Sequence, residues 1–147
     1  MTAYRKAASF CAYRERCHRE VREKLHALKV PTDEAGEIMA QLIGEGYLNE
    51  ERYARAFCGG KFRIKRWGRI KIRMALEQND VSEYCIRKGM EEIEEEAYIR
   101  VLRLLIGQRS LEHAGEDPTV RKQRIIQYLM GRGFEAELIK QNLDACQ

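Results

Sequence analysis

Apolar and polar residues along this chain follow one pattern that occurs three times. Each copy is a basic amphipathic segment that leads through a short break into a second, more apolar segment. In each copy a leucine lies five residues before an apolar closing residue, and the three pairs are Leu25 and Val30, Leu76 and Val81, and Leu129 and Phe134. Because the copies recur at a period of about fifty residues, the pattern predicts three tandem supersecondary units.

Apolar residues at helical spacing predict that every unit consists of three helices, so the expected fold class is all-α. The predicted helices cover residues 3–14, 17–29 and a stretch after Pro31, then 49–65, 69–78 and a stretch from Ser82, then a long acidic helix followed by 119–131 and 135–144. We expect one domain in which repeat 1 spans about 1–48, repeat 2 about 49–93 and repeat 3 about 94–147.

The segment GYLNEERYARAF carries the clearest helix start of the chain. Gly46 suits the position after a helix, and Asn49 is a good N-cap with two glutamates in the first turn behind it. Leu48 and Tyr53 have the spacing of a hydrophobic staple. We therefore predict that a new unit begins at Asn49.

Other local signals are weaker. Thr32 is the predicted N-cap of the third helix, and Ser82 that of the sixth, with Val81 and Ile86 as a further staple pair. The segment SLEHAGEDP, at 110–118, is the predicted mobile loop.

The segment RIKIRM, at 69–74, alternates apolar and basic residues and would fit a half-buried strand when taken alone. Its register with the corresponding segments of the other two copies favours a helix instead. Ile72, Ala75 and Leu76 then form the inward-facing stripe.

Composition favours a soluble, helix-rich chain. Of the 147 residues 44% are hydrophobic and 34% charged, and only two are prolines. No apolar run approaches the ~20 residues of a membrane span, and the start of the chain has no continuous apolar stretch of a secretory signal. We expect a cytoplasmic protein without a membrane partner.

Metal sites and catalytic sites have little support. Cys17, His18 and His26 lack further ligands at usable spacing, and the glutamate run at 91–96 is typical of a solvated face. No glycine-rich phosphate loop or Ser-His-Asp set can be assembled. The five cysteines are scattered without a Cys-x-x-Cys pair, so we expect reduced thiols: Cys11, Cys17, Cys58, Cys85 and Cys146. We expect no metal, no cofactor, no catalytic residue and no enzymatic activity.

Positive charge is concentrated between Lys61 and Arg73, a stretch that contains no acidic residue although the net charge of the chain is only +4. The predicted binding patch consists of Lys61, Arg63, Lys65, Arg66, Trp67, Arg69, Lys71 and Arg73. Such a cluster neutralises phosphates or meets an acidic protein surface. A solvated helical face is the alternative, and for Trp67 we favour packing at a helix junction over stacking on a base. We expect exposed side chains at Lys65, Arg69 and Arg73, whose reversal to Glu would leave helicity intact.

The motifs resemble the RecX family of regulatory proteins, inhibitors of the RecA recombinase. GYLNEERYARAF is similar to the family's central signature, and WGRIKIRMALEQNDVSEYCIRKGM to the segment that follows it. REVREKL and RKQRIIQYLMGRGFEAELI resemble the corresponding parts of the first and third repeats. Where the family usually has Lys-Gly before the closing residue, Asn79-Asp80 must supply the turn.

The resemblance implies an elongated, curved helical-repeat protein that binds in the groove of the RecA–DNA filament. It implies a negative regulator that inhibits ATP hydrolysis, recombination and strand exchange, with roles in DNA repair and the SOS response. Single- or double-stranded DNA is a further implied partner. Two other functions remain open: a helical nucleic-acid-binding module that acts without RecA, and, with least support, a nucleic-acid-processing enzyme.

Overall fold

The structure is a computed structural model that describes residues 1–146, and within this range every regular element is an α-helix. The helices are α1 (Ala3–Tyr13), α2 (His18–Ala27), α3 (Thr32–Gly44), α4 (Glu50–Arg63), α5 (Arg69–Gln78), α6 (Glu83–Met90), α7 (Glu95–Glu112), α8 (Pro118–Gly131) and α9 (Ala136–Cys146). Their main contacts lie within the groups α1–α3, α4–α6 and α7–α9. The predicted all-α class with three-helix units is confirmed, whereas the boundaries after residues 48 and 93 stay predictions.

The same turn joins the second helix of every unit to the third. Lys29, Asp80 and Gly133 have left-handed backbone φ angles of 62°, 58° and 99°. The residue after each donates its N–H to the carbonyl oxygen of the leucine five positions earlier, at 3.1, 3.1 and 3.0 Å respectively. This is the Schellman arrangement, which satisfies carbonyl groups left free at a helix end. Asp80 therefore makes the turn for which the sequence offers no glycine.

The buried apolar residues form two clusters. The N-terminal core belongs to the first unit and consists of Ala7, Ala8, Cys11, Val21, Leu25, Ile38, Leu42 and Leu48. The C-terminal core runs without interruption through α4–α9, and Cys17 is its one member from the first unit. Units two and three thus share a core, and unit one has its own.

The contact between units one and two is mostly polar. Arg52 Nε lies 2.6 Å from Glu15 Oε2, His18 Nδ1 lies 3.5 Å from Glu50 Oε2, and Arg19 donates to the carbonyl oxygen of Gln78. The accessible surface of 8881 Å² exceeds the roughly 7,800 Å² expected for a compact monomer of this mass. The units are therefore arranged as an elongated molecule.

Close backbone packing in unit two requires glycine at one position. A Cβ atom on Gly89 of α6 would lie 2.7 Å from the carbonyl oxygen of Ala54 and 2.9 Å from Cys58 Sγ, both on α4. These distances are shorter than van der Waals contact. Gly89 therefore permits the approach of α6 to α4.

Several local predictions are confirmed. Asn49 caps α4 by accepting from the N–H of Arg52 at 2.9 Å, and Ser82 caps α6 by accepting from that of Cys85 at 3.2 Å. Gly46, with a φ of 82°, follows the end of α3 as predicted. RIKIRM is helical.

Two local predictions are wrong, and a third is correct only in part. Thr32 is the first residue of α3 and makes no capping bond, because Pro31 occupies the N-cap. Leu48 lies in the N-terminal core and Tyr53 in the C-terminal core, so the predicted staple pair faces two different units. The predicted loop at 110–118 is shorter, since α7 continues to Glu112.

Candidate functional site

The predicted binding patch lies at the end of α4, in the turn after it, and along α5. Arg66 makes the turn with a left-handed φ of 56°, and the N–H of Trp67 donates to the carbonyl oxygen of Lys61 at 3.1 Å. Arg66 also donates its own N–H to the carbonyl oxygen of Phe62 at 3.0 Å. The helix therefore ends in the αL arrangement and not in the Schellman one, here with arginine where glycine is favoured. The turn directs the chain back so that basic residues of α4 and α5 surround Trp67.

Trp67 is half-buried and packs against the C-terminal core. The ammonium groups of Lys61 and Lys71 lie 4.8 and 4.5 Å from the centre of its ring. Cation–π attraction stabilises each of these contacts by about 0.5–1 kcal/mol at an exposed site. The indole thus packs at a junction, as favoured from the sequence, and also holds two cationic side chains in place.

Arg69 is engaged inside the protein, contrary to the expectation that it is exposed. Its guanidinium lies 3.9 Å from the ring centre of Tyr98 and bonds to Glu95 at 2.7 Å and Glu135 at 2.9 Å. Burial opposes its charge, but the two carboxylates prevail and raise the pKa of Arg69 above its ordinary value. Arg69 therefore links α5 to the third unit.

Tyr98 is the buried centre of this linkage. Its hydroxyl donates to Glu135 at 2.5 Å and accepts from the backbone N–H of Arg69 at 3.0 Å. Burial, and then the bond to Glu135, raise the pKa of Tyr98 well above its ordinary value, so the phenol stays protonated. The ring stacks on Phe134 with centroids 5.2 Å apart.

Arg73 is also paired, because its Nη1 lies 2.8 Å from Glu83 at the start of α6. Its side chain is 37% exposed, so the expected exposure is met only in part and the charge is paired. Both arginines pair with carboxylates outside α5.

The remaining five basic residues of the patch have no carboxylate within 4.0 Å among the residues that the structure describes: Lys61, Arg63, Lys65, Arg66 and Lys71. The side chains of Arg63 and Lys65 are exposed, and those of the other three are half-buried. A cluster of unpaired cations repels itself unless an anionic partner binds. These five residues are the part of the patch that is available for a partner.

Arg132, on the turn after α8, joins this cluster although it lies outside the predicted patch. Its guanidinium donates to the backbone carbonyl of Lys65, and its Nε is buried without a hydrogen-bond partner among the described residues. Arg132 lies between two glycines, and no cluster of basic residues in the sequence around it indicates a binding site. Only the packing of unit three against unit two brings it to the site.

Backbone contacts hold the two sides of the site together. The N–H groups of Gly68 and Ile70 donate to the carbonyl oxygens of Arg132 and Gly133, at 2.8 and 3.0 Å. A Cβ atom on Gly68 would lie 2.3 Å from the carbonyl carbon of Gly133, a clash that only glycine avoids. The basic cluster therefore rests on a closely packed junction between units two and three.

Across residues 1–146, no three His, Cys, Asp or Glu side chains are grouped so that they could hold a metal ion. No helix in this range is long and apolar enough to cross a membrane. What the site offers is positive charge around an aromatic ring, which suits binding of an anionic surface.

A chain of three-helix units with an unpaired basic surface at one junction is, as a class, a helical-repeat binding protein. Family comparison is more specific. Residues 49–90 match the second three-helix domain of RecX, and residues 100–143 match the third. The chain belongs to the RecX family.

Individual relatives agree with this assignment. The chain is 26% identical over 137 residues to the regulatory protein RecX of Geobacillus kaustophilus. The aligned region covers 93% of this chain but 51% of that protein. The chain is 24% identical over 142 residues to the regulatory protein RecX of Prosthecochloris aestuarii, covering 91% of it. The chain thus spans about half the length of the Geobacillus relative and nearly all of the Prosthecochloris one.

Solved structures share the fold. The crystal structure of RecX from Lactobacillus salivarius superimposes with a TM-score of 0.90 at 19% identity, over 98% of this chain and 94% of that one. A second crystal structure of regulatory protein RecX gives a TM-score of 0.87 at 20% identity, over 97% of this chain and 71% of that one.

Proposed function

We propose that this protein is a negative regulator of RecA that binds the RecA–DNA filament and inhibits its ATPase, recombinase and strand-exchange activities. Membership of the RecX family supports a regulatory role, and the resemblance described above supports RecA as its target. The observation that carries the proposal is the cluster of five basic side chains without carboxylate partners at the junction of units two and three. A filament of protein and DNA presents the anionic surface that such a cluster needs.

The proposed mechanism is binding rather than catalysis. The protein occupies the filament, and its rigid junction between units two and three keeps Lys61 and Lys71 in a fixed arrangement around Trp67. Fixed charges lose little conformational freedom on binding, which favours affinity. In this role the protein acts in the cytoplasm, limits recombination and restrains the SOS response.

Charge reversal of the unpaired cluster tests the proposal. The variant Arg63→Glu, Lys65→Glu, Lys71→Glu leaves Arg69 and Arg73 in their internal ion pairs. The matched control is Arg5→Glu, Lys6→Glu, Lys140→Glu, which reverses three exposed charges elsewhere. We expect the first variant to lose inhibition of DNA-dependent ATP hydrolysis by RecA and the control to keep it. Equal inhibition by both variants would show that the cluster is only a solvated face.

The same proteins address the second candidate, a nucleic-acid-binding module that acts without RecA. The cluster around Trp67 favours it too, because basic side chains beside an aromatic ring are typical of single-strand binding. Binding to free labelled single-stranded DNA is measured beside the ATPase. If wild type binds free DNA tightly but leaves RecA activity unchanged, the second function holds and the first does not.

A further inference from the structure

The outer face of α5 carries apolar side chains that the protein itself does not cover. Ile70 and Met74, one helical turn apart, are 46% and 54% exposed, and Met130 at the end of α8 is 51% exposed. Isolated exposed apolar residues are common, but a contiguous group marks an interaction site. Methionine is the most adaptable apolar side chain and is favoured on surfaces that receive a partner.

These side chains border a groove between α5 and the end of α8. The groove has a volume of about 360 Å³, and Trp67 lies at one end and Gln78 at the other. Ala75, Gly131 and Gly133 line its floor, so small residues leave room for a side chain from outside. The backbone contacts of Gly68 with Arg132 fix the two walls relative to each other.

Lys71 is the one charged side chain among the described residues that line the groove. Lys61 lies beside the groove over the Trp67 ring. Ile70 and Met74 also border a second cavity, which is lined by Arg69, Arg73, Glu77 and Glu135, and there Arg69 is paired with Glu135. The groove between α2 and α3 of the first unit differs, because Glu23 lines it beside Arg22. An occupant of the α5–α8 groove must therefore combine apolar side chains with negative charge.

We propose that the α5–α8 groove is the docking site for an acidic amphipathic helix of the partner protein. Its apolar side chains, one turn apart, pack against Ile70, Met74 and Met130, and its carboxylates pair with Lys61 and Lys71. Helix-in-groove binding uses this geometry, with anchors at i and i+4 and a charged flank. The inference rests on the proposed function for the identity of the partner, RecA, but the chemistry of the groove stands apart from it.

The test uses a synthetic amphipathic helical peptide with leucines one turn apart and glutamates along both flanks. Trp67 is the single tryptophan of the chain beside seven tyrosines, so fluorescence excited selectively at tryptophan reports on the surroundings of Trp67 in this groove. The groove variant is Met74→Gln, Met130→Gln, and the matched control is Leu111→Gln, Val120→Gln, which alters two exposed apolar residues of the third unit. Circular dichroism verifies that both variants fold. Co-sedimentation with RecA–DNA filaments is measured with the same proteins.

We expect the peptide to shift Trp67 fluorescence in wild type and control, and its Kd to rise at least about tenfold in the groove variant. A peptide with lysines in place of the glutamates should not bind. No response to the acidic peptide, or equal responses of wild type and groove variant, would overturn the proposal that the groove is a docking site. Binding of the lysine peptide, or self-association of the protein through these residues, would overturn the stated occupant.

The filament measurement separates this inference from the proposed function. Suppose that wild type binds the peptide through the groove but does not co-sediment with RecA filaments. The proposed function is then wrong, whereas the proposal that the groove binds an acidic helix is upheld. If the groove variant co-sediments as well as wild type and no peptide binds, the function stands and the groove fails.

Discussion

At the scale of single residues, five positions with left-handed backbone shape the described part of this chain: Lys29, Gly46, Arg66, Asp80 and Gly133. A residue with a Cβ pays about 1–2 kcal/mol in this conformation. Three of the five, Lys29, Asp80 and Gly133, lie just before the closing residue of a unit, so the left-handed turn recurs with the repeat. At these three positions Schellman bonds hold the backbone in place.

The first prediction concerns Lys29, which is exposed and makes no ion pair within the described residues. Lys29→Gly should be more stable than Lys29→Ala by about 1 kcal/mol, because both remove the same side chain and only glycine relieves the left-handed strain. Urea unfolding of the two variants measures the difference. An alanine variant as stable as the glycine variant would mean that the turn does not hold this conformation in solution.

At the scale of elements, the crossing of α4 and α6 is the closest helix contact of unit two. Gly89 on α6 faces Ala54 and Cys58 of α4 without space for a methyl group. Gly60, on α4, has no atom within 4 Å of the position that a Cβ would take. The two glycines therefore separate the effect of packing from that of helix propensity.

The second prediction follows from this contrast. Gly89→Ala should destabilise the protein by about 1–3 kcal/mol through overpacking, although alanine is the better helix former. Gly60→Ala should stabilise it by about 1 kcal/mol, since only propensity changes there. Thermal unfolding with circular dichroism detection compares them. If both substitutions stabilise, α4 and α6 lie farther apart than the structure has them.

The sequence predicted the helices well where the signal is local. Asn49 and Ser82 cap by bonds to residues three positions away, and the register of Ile72 and Leu76 with the corresponding residues of the other two copies assigns α5. Such signals need no knowledge of the tertiary fold. The three-unit architecture could be predicted for the same reason.

The composition of the candidate site could be predicted only in part, because pairing of charges is a tertiary property. Arg69 pairs with Glu135, which lies sixty-six positions away, and Arg73 pairs with Glu83 on the next helix. The stretch from Lys61 to Arg73 contains no acidic residue, but two of its seven basic side chains are paired with carboxylates from outside it. The sequence alone therefore overestimates the number of unpaired cations. Arg132 enters the site from the third unit, and no pattern within the stretch from Lys61 to Arg73 indicates it.

At the scale of the whole molecule, the two junctions between units differ in kind. Between units two and three, backbone groups of Gly68 and Gly133 approach directly. The corresponding positions between units one and two are Cys17 and Asp80, whose side chains exclude such an approach, and Arg19 instead reaches across to Gln78. One junction rests on a shared core and close backbone contact, and the other mainly on polar side-chain contacts.

The third prediction is that high salt loosens only the junction between units one and two. Ion pairs such as Arg52 with Glu15 are partly exposed and are screened at high ionic strength, whereas burial of apolar surface is not. Hydrogen exchange of α1–α3 should therefore speed up in 1 M NaCl relative to 0.05 M, while that of α4–α9 changes little. The variant Arg52→Ala should show the fast exchange already at low salt. Uniform exchange across all units at both salt concentrations would contradict the polar junction.

The separate N-terminal core also bears on how the chain matures on the ribosome. Once Leu48 has left the exit tunnel, the first unit possesses every apolar side chain of its own core and can fold while the rest is still being made. The second unit must wait, because its buried residues pack with Tyr98, Phe134 and Leu143 of the third. During synthesis the first unit thus folds early, whereas units two and three complete their shared core only near the end of translation.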